Sequence, residues 1–95
     1  MREKTLECKL VRAVKMVGGI CPKFVSPGAA GMPDRILLLP GGHMAFVEVK
    51  APGEKPRPLQ LARHKLLRGL GFKVHVLDDE QQITKILDEI EGDAK

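Results

Sequence analysis

The chain of 95 residues predicts a single domain over residues 1–95, and its 43% hydrophobic and 29% charged content is typical of a globular protein. Its net charge of +4 favours an anionic partner such as nucleic acid, while three Phe and no Trp or Tyr argue against base stacking as the main binding mode. Two cysteines, Cys8 and Cys21, are too few for a disulfide scaffold, and with no signal peptide or membrane-length apolar run we expect an intracellular protein with reduced thiols.

The first part of the chain predicts one helix and one short strand. The helix runs from Thr5 to Val17, because its apolar residues recur at helical spacing and a Gly-Gly pair stops it. Its apolar stripe consists of Leu6, Leu10, Ala13, Val14 and Val17. Residues Ile20 to Val25 predict a strand that Pro22 restricts to an edge or an irregular form.

A hairpin and a second helix are predicted next. Arg35 to Leu39 and Met44 to Lys50 are the strands, antiparallel because only a Pro-Gly-Gly-His turn connects them. The proline-rich segment that follows cannot be regular structure, so the helix begins near Pro58, where proline is tolerated, and runs to Leu70. The apolar side of this helix carries Leu59, Ala62, Leu66 and Leu70.

The last elements are a strand from Lys73 to Leu77 and a helix from Glu80 to Ile90. The inward residues of that helix are predicted to be Ile83, Ile86, Leu87 and Ile90. A strand–helix–strand unit crosses over right-handed into parallel pairing. The predicted order is α-β-β-β-α-β-α, an α/β domain in which helices flank a small mixed sheet.

Three charged residues are predicted to converge on the hairpin. Side chains alternate along a strand, so Glu48 and Lys50 point to one face, at the strand end where sites form on such sheets. Counting outward from the turn places Asp34 opposite the neighbourhood of Glu48 to Lys50. A solvent-facing amphipathic strand is the alternative, but Met44 and Phe46 interrupt the polar pattern that it requires.

Converging carboxylates favour a bound cation. Two close carboxylates repel each other, and a divalent ion relieves that repulsion. Mg²⁺ prefers hard oxygen ligands and binds through one or two carboxylates while retaining several waters. The ion lowers the pKa of a bound water and neutralises a phosphate oxygen, and a neighbouring lysine stabilises developing charge. Proteins that cleave phosphodiester bonds use this arrangement.

The same residues resemble a known family signature. Pro33-Asp34 followed by Glu48-Val49-Lys50 is similar to the PD-(D/E)xK nuclease motif. The wider stretch from Ser26 to Gln60 resembles the VRR-NUC family, the virus-type replication-repair nucleases. The similarity extends from the first helix to the final strand and implies a restriction-endonuclease-like core.

The resemblance implies a DNA endonuclease that depends on Mg²⁺ or Mn²⁺. The implied metal ligands are Asp34, Glu48 and the main-chain carbonyl of Val49. Lys50 is the implied catalytic lysine, and Gln60 supports the catalytic site from the following helix.

A first-helix acid and several cations complete the predicted site. Periodicity alone puts Glu7 at the margin of the apolar stripe with its carboxylate in solvent, but the family carries an acid on this helix that faces the metal. Glu7 is therefore the candidate for a further catalytic metal ligand, with Glu3 in reserve. Candidate phosphate-binding residues, each of which singly is better explained as a solvated surface cation, are Lys23, Arg35, Lys55, Arg57 and Arg63. Structural or surface roles are predicted for His43, His64 and His75.

The function that follows is cleavage of structured DNA, such as four-way junctions or flaps, in replication, repair or recombination. A two-fold homodimer would match the symmetry of a junction, and segment exchange through the Pro- and Gly-rich connectors is one route to it. A helicase partner could supply specificity, and the expected location is the cytoplasm of a bacterial or phage-infected cell. The alternative is a non-catalytic basic module that binds nucleic acid. The chain has no GxxxxGK[ST] or GxGxxG motif of a kinase or NTPase.

Overall fold

A mixed three-stranded sheet with helices on both faces forms the domain. The computed structural model describes residues 1–92. The elements are α1 (Glu3–Met16), β1 (Arg35–Leu39), β2 (His43–Val49), α2 (Pro58–Gly69), β3 (Val74–Leu77) and α3 (Gln82–Gly92). The sheet order is β1-β2-β3, with β2 antiparallel to β1 and parallel to β3. The predicted α/β architecture is confirmed, and the predicted ends of these elements differ from the observed ones by at most two residues.

The central strand β2 is covered on both faces, which is why a seven-residue strand can bury a charged side chain. On one face lies the main core between the sheet and helices α1 and α3. Its fully buried members include Leu6, Leu10, Leu37, Leu77 and Ile90. On the other face α2 packs through Leu67 against Phe46 and Val74. All four residues predicted to point inward from α3 are buried, so that part of the pattern is confirmed.

The predicted strand from Ile20 to Val25 is wrong, although the segment does run antiparallel along β1. Ile20 and Leu38 exchange both backbone hydrogen bonds at 3.0 Å, as a strand pair does. Two residues on, Ile36 donates to the Pro22 carbonyl at 3.1 Å, but proline has no N–H to return the bond. The ladder is broken there, and only isolated bridge pairs remain, at Ile20 and at Lys23.

The apolar side of α2 does not face the core, contrary to the pattern of its leucines. The buried residues are Gln60, His64 and Leu67. The predicted stripe lies in solvent, with Leu59 52%, Leu66 51% and Leu70 66% exposed, and Ala62 is exposed as well. The orientation of α2 follows from what it meets on β2, because its polar residues contact a buried carboxylate there. Val17 of the predicted α1 stripe is also exposed, since α1 ends at Met16.

None of the helices within residues 1–92 combines the length and the apolar character needed to cross a bilayer.

Candidate functional site

The β1–β2 hairpin brings Asp34, Glu48 and Lys50 together, as their sequence positions predict. Arg35 pairs with Val47 in the antiparallel register, so the next pair outward consists of Asp34 and Glu48. Asp34 is within hydrogen-bonding reach of the Glu48 carboxyl group. Lys50 Nζ lies 4.0 Å from Glu48 Oε2, which confirms that the two side chains share a face. Two acids and one ammonium group therefore meet at the open end of the hairpin.

The residue opposite Val49 is a proline, so the backbone N–H and C=O of Val49 do not form the usual antiparallel pair of hydrogen bonds. Phe46 donates its N–H to the Lys73 carbonyl just before β3, and Lys50 donates to the Leu77 carbonyl, both at 2.9 Å, so by alternation the Val49 N–H and C=O point toward β1. Continuing the register would put Pro33 opposite Val49, and Pro33 has no N–H to donate. The Val49 N–H donates to Asp34 Oδ2 at 3.0 Å. The Val49 carbonyl receives no hydrogen bond from Pro33 and can serve as an oxygen ligand.

Helix α2 holds the carboxylate of Glu48 from the other side. Gln60 Nε2 donates to Glu48 Oε2 at 3.3 Å, and His64 Nε2 lies 3.4 Å from Glu48 Oε1. Gln60 Oε1 also accepts the backbone N–H of Arg57 at 2.8 Å, which caps the N-terminus of α2. Gln60 thus ties the start of the helix to β2. Because Glu48 is only 1% exposed, these contacts replace its hydration.

Burial makes Glu48 a weak acid in the metal-free site. Burial, and to a smaller extent the neighbouring Asp34 carboxylate, raise the pKa of Glu48 from 4.5 to about 8, although Lys50 acts to lower it. Burial also lowers the pKa of His64, with a smaller contribution from the positive charge of Arg68, so the ring is neutral at neutral pH. One lysine does not compensate two adjoining carboxylates, so the site favours uptake of a proton or a cation.

The predicted acid on α1 lies beside the hairpin but is engaged in an ion pair. Glu7 Oε2 accepts a hydrogen bond from Arg35 Nη2 at 3.0 Å, and Arg35 Nη1 donates to the Cys21 carbonyl at 2.9 Å. Glu3, Glu7 and Asp34 line one cavity of about 130 Å³. The charge of Glu3 contributes to the raised pKa of Glu48. Both candidate acids of α1 therefore face the site.

The predicted phosphate-binding cations are divided between this cavity and the start of α2. Lys23 and Arg35 line the cavity that contains Asp34. Arg63 Nε donates to the Ala30 carbonyl at 2.8 Å, which fastens the loop before β1 onto α2. Lys55 and Arg57 lie on the exposed connector that leads into α2.

Sequence reasoning missed the contact that His64 makes with Glu48. His43 lies at the start of β2, and His75 Nδ1 lies 3.7 Å from Glu89 Oε2, so neither belongs to the site. His64 is 1% exposed, and its Nδ1 has no hydrogen-bond partner among residues 1–92. The usable signal was the spacing of Gln60 and His64, because residues four apart share one face of a helix. A polar pair at that spacing marks a face that meets polar groups.

The donor set around Asp34 suits a magnesium-type ion better than a zinc-type ion. Among the described residues there is no cluster of three or more His, Cys, Asp or Glu that could hold a metal ion. Mg²⁺ binds through one or two carboxylates and keeps several waters, so it does not require such a cluster. Two adjoining carboxylates and the Val49 carbonyl offer the oxygen ligands that Mg²⁺ and Mn²⁺ accept.

Comparison with known proteins gives two relatives of nearly the same length. No family model matches the chain. A protein named "Putative nuclease p44", from Acyrthosiphon pisum secondary endosymbiont phage 1, is 53% identical over 87 residues, which are 92% of this chain and 92% of that protein. A solved structure described as a VRR_NUC domain is similar with a TM-score of 0.84 and 32% identity, over 90% of this chain and 94% of that chain.

Proposed function

This chain belongs to the VRR-NUC family of PD-(D/E)xK nucleases, and on that premise we propose that it is a divalent-metal-dependent endonuclease that cleaves branched DNA. The observation that carries the proposal is the convergence of Asp34, Glu48 and Lys50 at the open end of the hairpin. A module that only binds nucleic acid gains nothing from two carboxylates directed at a phosphate. The net charge of +4 supports an anionic substrate.

Asp34, Glu48 and the Val49 carbonyl would hold the metal ion. When bound, Mg²⁺ or Mn²⁺ supplies Lewis-acid polarisation of the scissile phosphate and a lowered pKa for the attacking water. Lys50 donates a hydrogen bond to the phosphate and offsets the negative charge that develops on it. Gln60 keeps the Glu48 carboxylate in one orientation, as its 3.3 Å contact supports.

The acid of α1 has a proposed role beside the metal ligands. Glu7 faces the same cavity as Asp34, and Arg35 holds its carboxylate in place at a distance of 3.0 Å. We assign Glu7 as a further acidic ligand, whose fixed carboxylate would help Asp34 and Glu48 to hold the ion. Lys23 lines this cavity and would contact the substrate phosphate.

A gel assay tests the proposed function directly. Purified protein should cleave labelled four-way junctions or flaps in Mg²⁺ or Mn²⁺ and leave them intact in EDTA. Linear duplex and single strands serve as matched substrates that carry the same sequence without a branch. DNA binding that is salt-sensitive, indifferent to the metal and without any product would contradict the nuclease and support a non-catalytic binding module.

Loss of the α2 contacts to Glu48 should weaken metal binding rather than unfold the protein. We expect His64→Ala and Gln60→Ala each to lower the affinity for Mn²⁺ by about 10- to 100-fold, because groups that orient a metal-binding carboxylate typically contribute that much. Isothermal titration calorimetry with Mn²⁺ measures the effect without any cleavage.

Two variants control for the loss of an imidazole and of packing. His43→Ala removes a histidine from outside the site and should bind Mn²⁺ as the natural protein does. His64→Gln keeps an N–H donor and should recover most of the affinity. Unchanged Mn²⁺ affinity in a folded His64→Ala protein would refute the orienting role of His64.

We also propose that two copies associate through the exposed apolar stripe of α2. Leu59, Leu66 and Leu70 are each at least half exposed, although they lie on one side of the helix at helical spacing. A 95-residue chain has little core of its own, and a two-fold dimer matches the symmetry of a junction. Segment exchange through the connectors and a helicase partner remain predictions, as does a cytoplasmic location.

Light scattering coupled to gel filtration measures this association. The natural chain should give twice the 10.4 kDa mass of one copy, and Leu66→Lys should shift it to the monomer, because a charge in an apolar interface is costly. Leu61→Lys is the matched control, since Leu61 is 53% exposed on the other side of α2. A monomeric mass for the natural chain at micromolar concentration would contradict the proposed dimer.

A further inference from the structure

A groove along α1 extends away from the hairpin site, and the proposed chemistry uses only the end of it that carries Glu7 and Lys23. It has a volume of about 790 Å³ and lies between α1 and the cations Lys23 and Arg35. Its α1 side is formed by residues at helical spacing, including Lys4, Arg12 and Lys15. We call this cavity the α1 groove.

The charges of the α1 groove are arranged along its length. The acids Glu3 and Glu7 lie at the N-terminal end of α1, where the groove shares its lining with the cavity that contains Asp34. Arg12 and Lys15 lie two to three turns further along the helix, and both are exposed. The groove therefore carries acids only at the end that meets the hairpin site, where Lys4, Lys23 and Arg35 also lie, and only cations further along α1.

The length of the groove fits several nucleotides of one strand. An α-helix rises 1.5 Å per residue, so the distance from Glu3 to Lys15 is roughly 18 Å. Phosphates of one strand follow each other at about 3.4 Å along a duplex axis and farther apart along the strand itself, so this length spans several phosphates. Arg12 and Lys15 are thus placed to contact phosphates several positions away from a phosphate at Asp34.

We propose that the α1 groove binds the sugar–phosphate backbone of one DNA strand and leads it to the hairpin site, an inference that rests on the nuclease function proposed above. The strand lies along α1 with Arg12 and Lys15 as phosphate contacts distant from the cleaved bond. Such contacts position the strand without reading its sequence. The end of the groove that carries Glu3 and Glu7 receives the phosphate that is cleaved.

Binding measured in EDTA tests the groove without any need for cleavage. Arg12→Ala/Lys15→Ala should weaken binding of a labelled duplex by about 10- to 100-fold and reduce the slope of log affinity against log salt by about 1.8, which is 0.9 for each lost phosphate contact. Lys65→Ala/Lys85→Ala removes two exposed lysines from α2 and α3 and should change both quantities much less. Equal losses of DNA affinity in the two double variants would contradict DNA binding in the α1 groove.

A chemical footprint on Cys8 gives a second, local readout. Cys8 is exposed and lines the α1 groove, whereas Cys21 is buried and burial raises the pKa of its thiol to about 11. Iodoacetamide should therefore modify Cys8 selectively, and duplex DNA in EDTA should slow that reaction severalfold. A Cys8→Ser/Lys65→Cys variant provides a thiol on α2 that DNA should not protect. An unchanged rate of Cys8 modification in saturating DNA would contradict DNA binding in the α1 groove, whether or not the protein cleaves DNA.

Discussion

Cleavage of a branched DNA substrate should fall by about 10²- to 10³-fold when Lys50 is replaced by Ala, because removal of one donor aimed at developing charge typically costs that much. Lys50 is 12% exposed, and its Nζ lies 4.0 Å from Glu48 Oε2, so solvent cannot substitute for it at the same position. Initial rates from the gel assay at saturating Mg²⁺ measure the loss. The Mn²⁺ affinity of Lys50→Ala should be kept, since no ligand is removed.

Replacement of either carboxylate should also abolish cleavage, but for a different reason, because metal binding is weakened. Asp34→Asn retains an oxygen that can accept the Val49 N–H, so the hairpin end stays formed while one charged ligand is lost. Glu48→Gln keeps the shape of the buried side chain. Both variants should show weakened Mn²⁺ binding together with lost cleavage, whereas Lys50→Ala loses cleavage alone.

Lys65→Ala controls for the loss of a lysine, because Lys65 is exposed on α2. It should cleave at the natural rate. If Lys50→Ala and Asp34→Asn both retained cleavage, the assignment of the hairpin end as the catalytic site would be wrong.

The metal-free protein should lose stability as the pH rises from about 5 to about 7.5. The pKa of Glu48 is raised from 4.5 to about 8 in the folded state, so between these values the folded protein binds one proton more than the unfolded chain. The stabilising contribution of Glu48 is fully present below the unfolded value and is lost as the pH rises through the folded value. The free energy of unfolding then falls by at most about 1.4 kcal/mol per pH unit.

Urea unfolding in EDTA at several pH values measures this dependence. Other carboxylates act in the opposite direction at low pH, so the quantity to compare is the difference between the natural protein and Glu48→Gln. That difference should decrease with pH, because glutamine does not titrate. A difference that stays constant from pH 5 to pH 7.5 would show that Glu48 is ionised throughout this range in the folded protein.

The site on the hairpin could be predicted from sequence because its determinants are local. A three-residue connection between Leu39 and His43 sets the antiparallel register, and the register alone brings Asp34 opposite Glu48. Strand alternation then puts Lys50 on the face of Glu48. These steps involve one turn and two strands, and they need no knowledge of how the rest of the chain packs.

The orientation of α2 was decided by the tertiary structure against the hydrophobic pattern. By its leucines, the helix should bury Leu59, Leu66 and Leu70, yet it buries Gln60 and His64. A carboxyl group with 1% exposure on the central strand needs hydrogen-bond partners, and Gln60 and His64 supply them from α2. The local sign of this need in the sequence is the spacing of Gln60 and His64, because Glu48 and α2 come together only through tertiary packing.

Local sequence therefore determined the helices, the hairpin and the convergence of Asp34, Glu48 and Lys50. Tertiary structure decided which face of α2 covers Glu48 and that His64 joins it. The physical reason is the range of the forces involved. Turn geometry and strand alternation act over a few residues, whereas the cost of an unsatisfied buried charge appears only when distant elements enclose it.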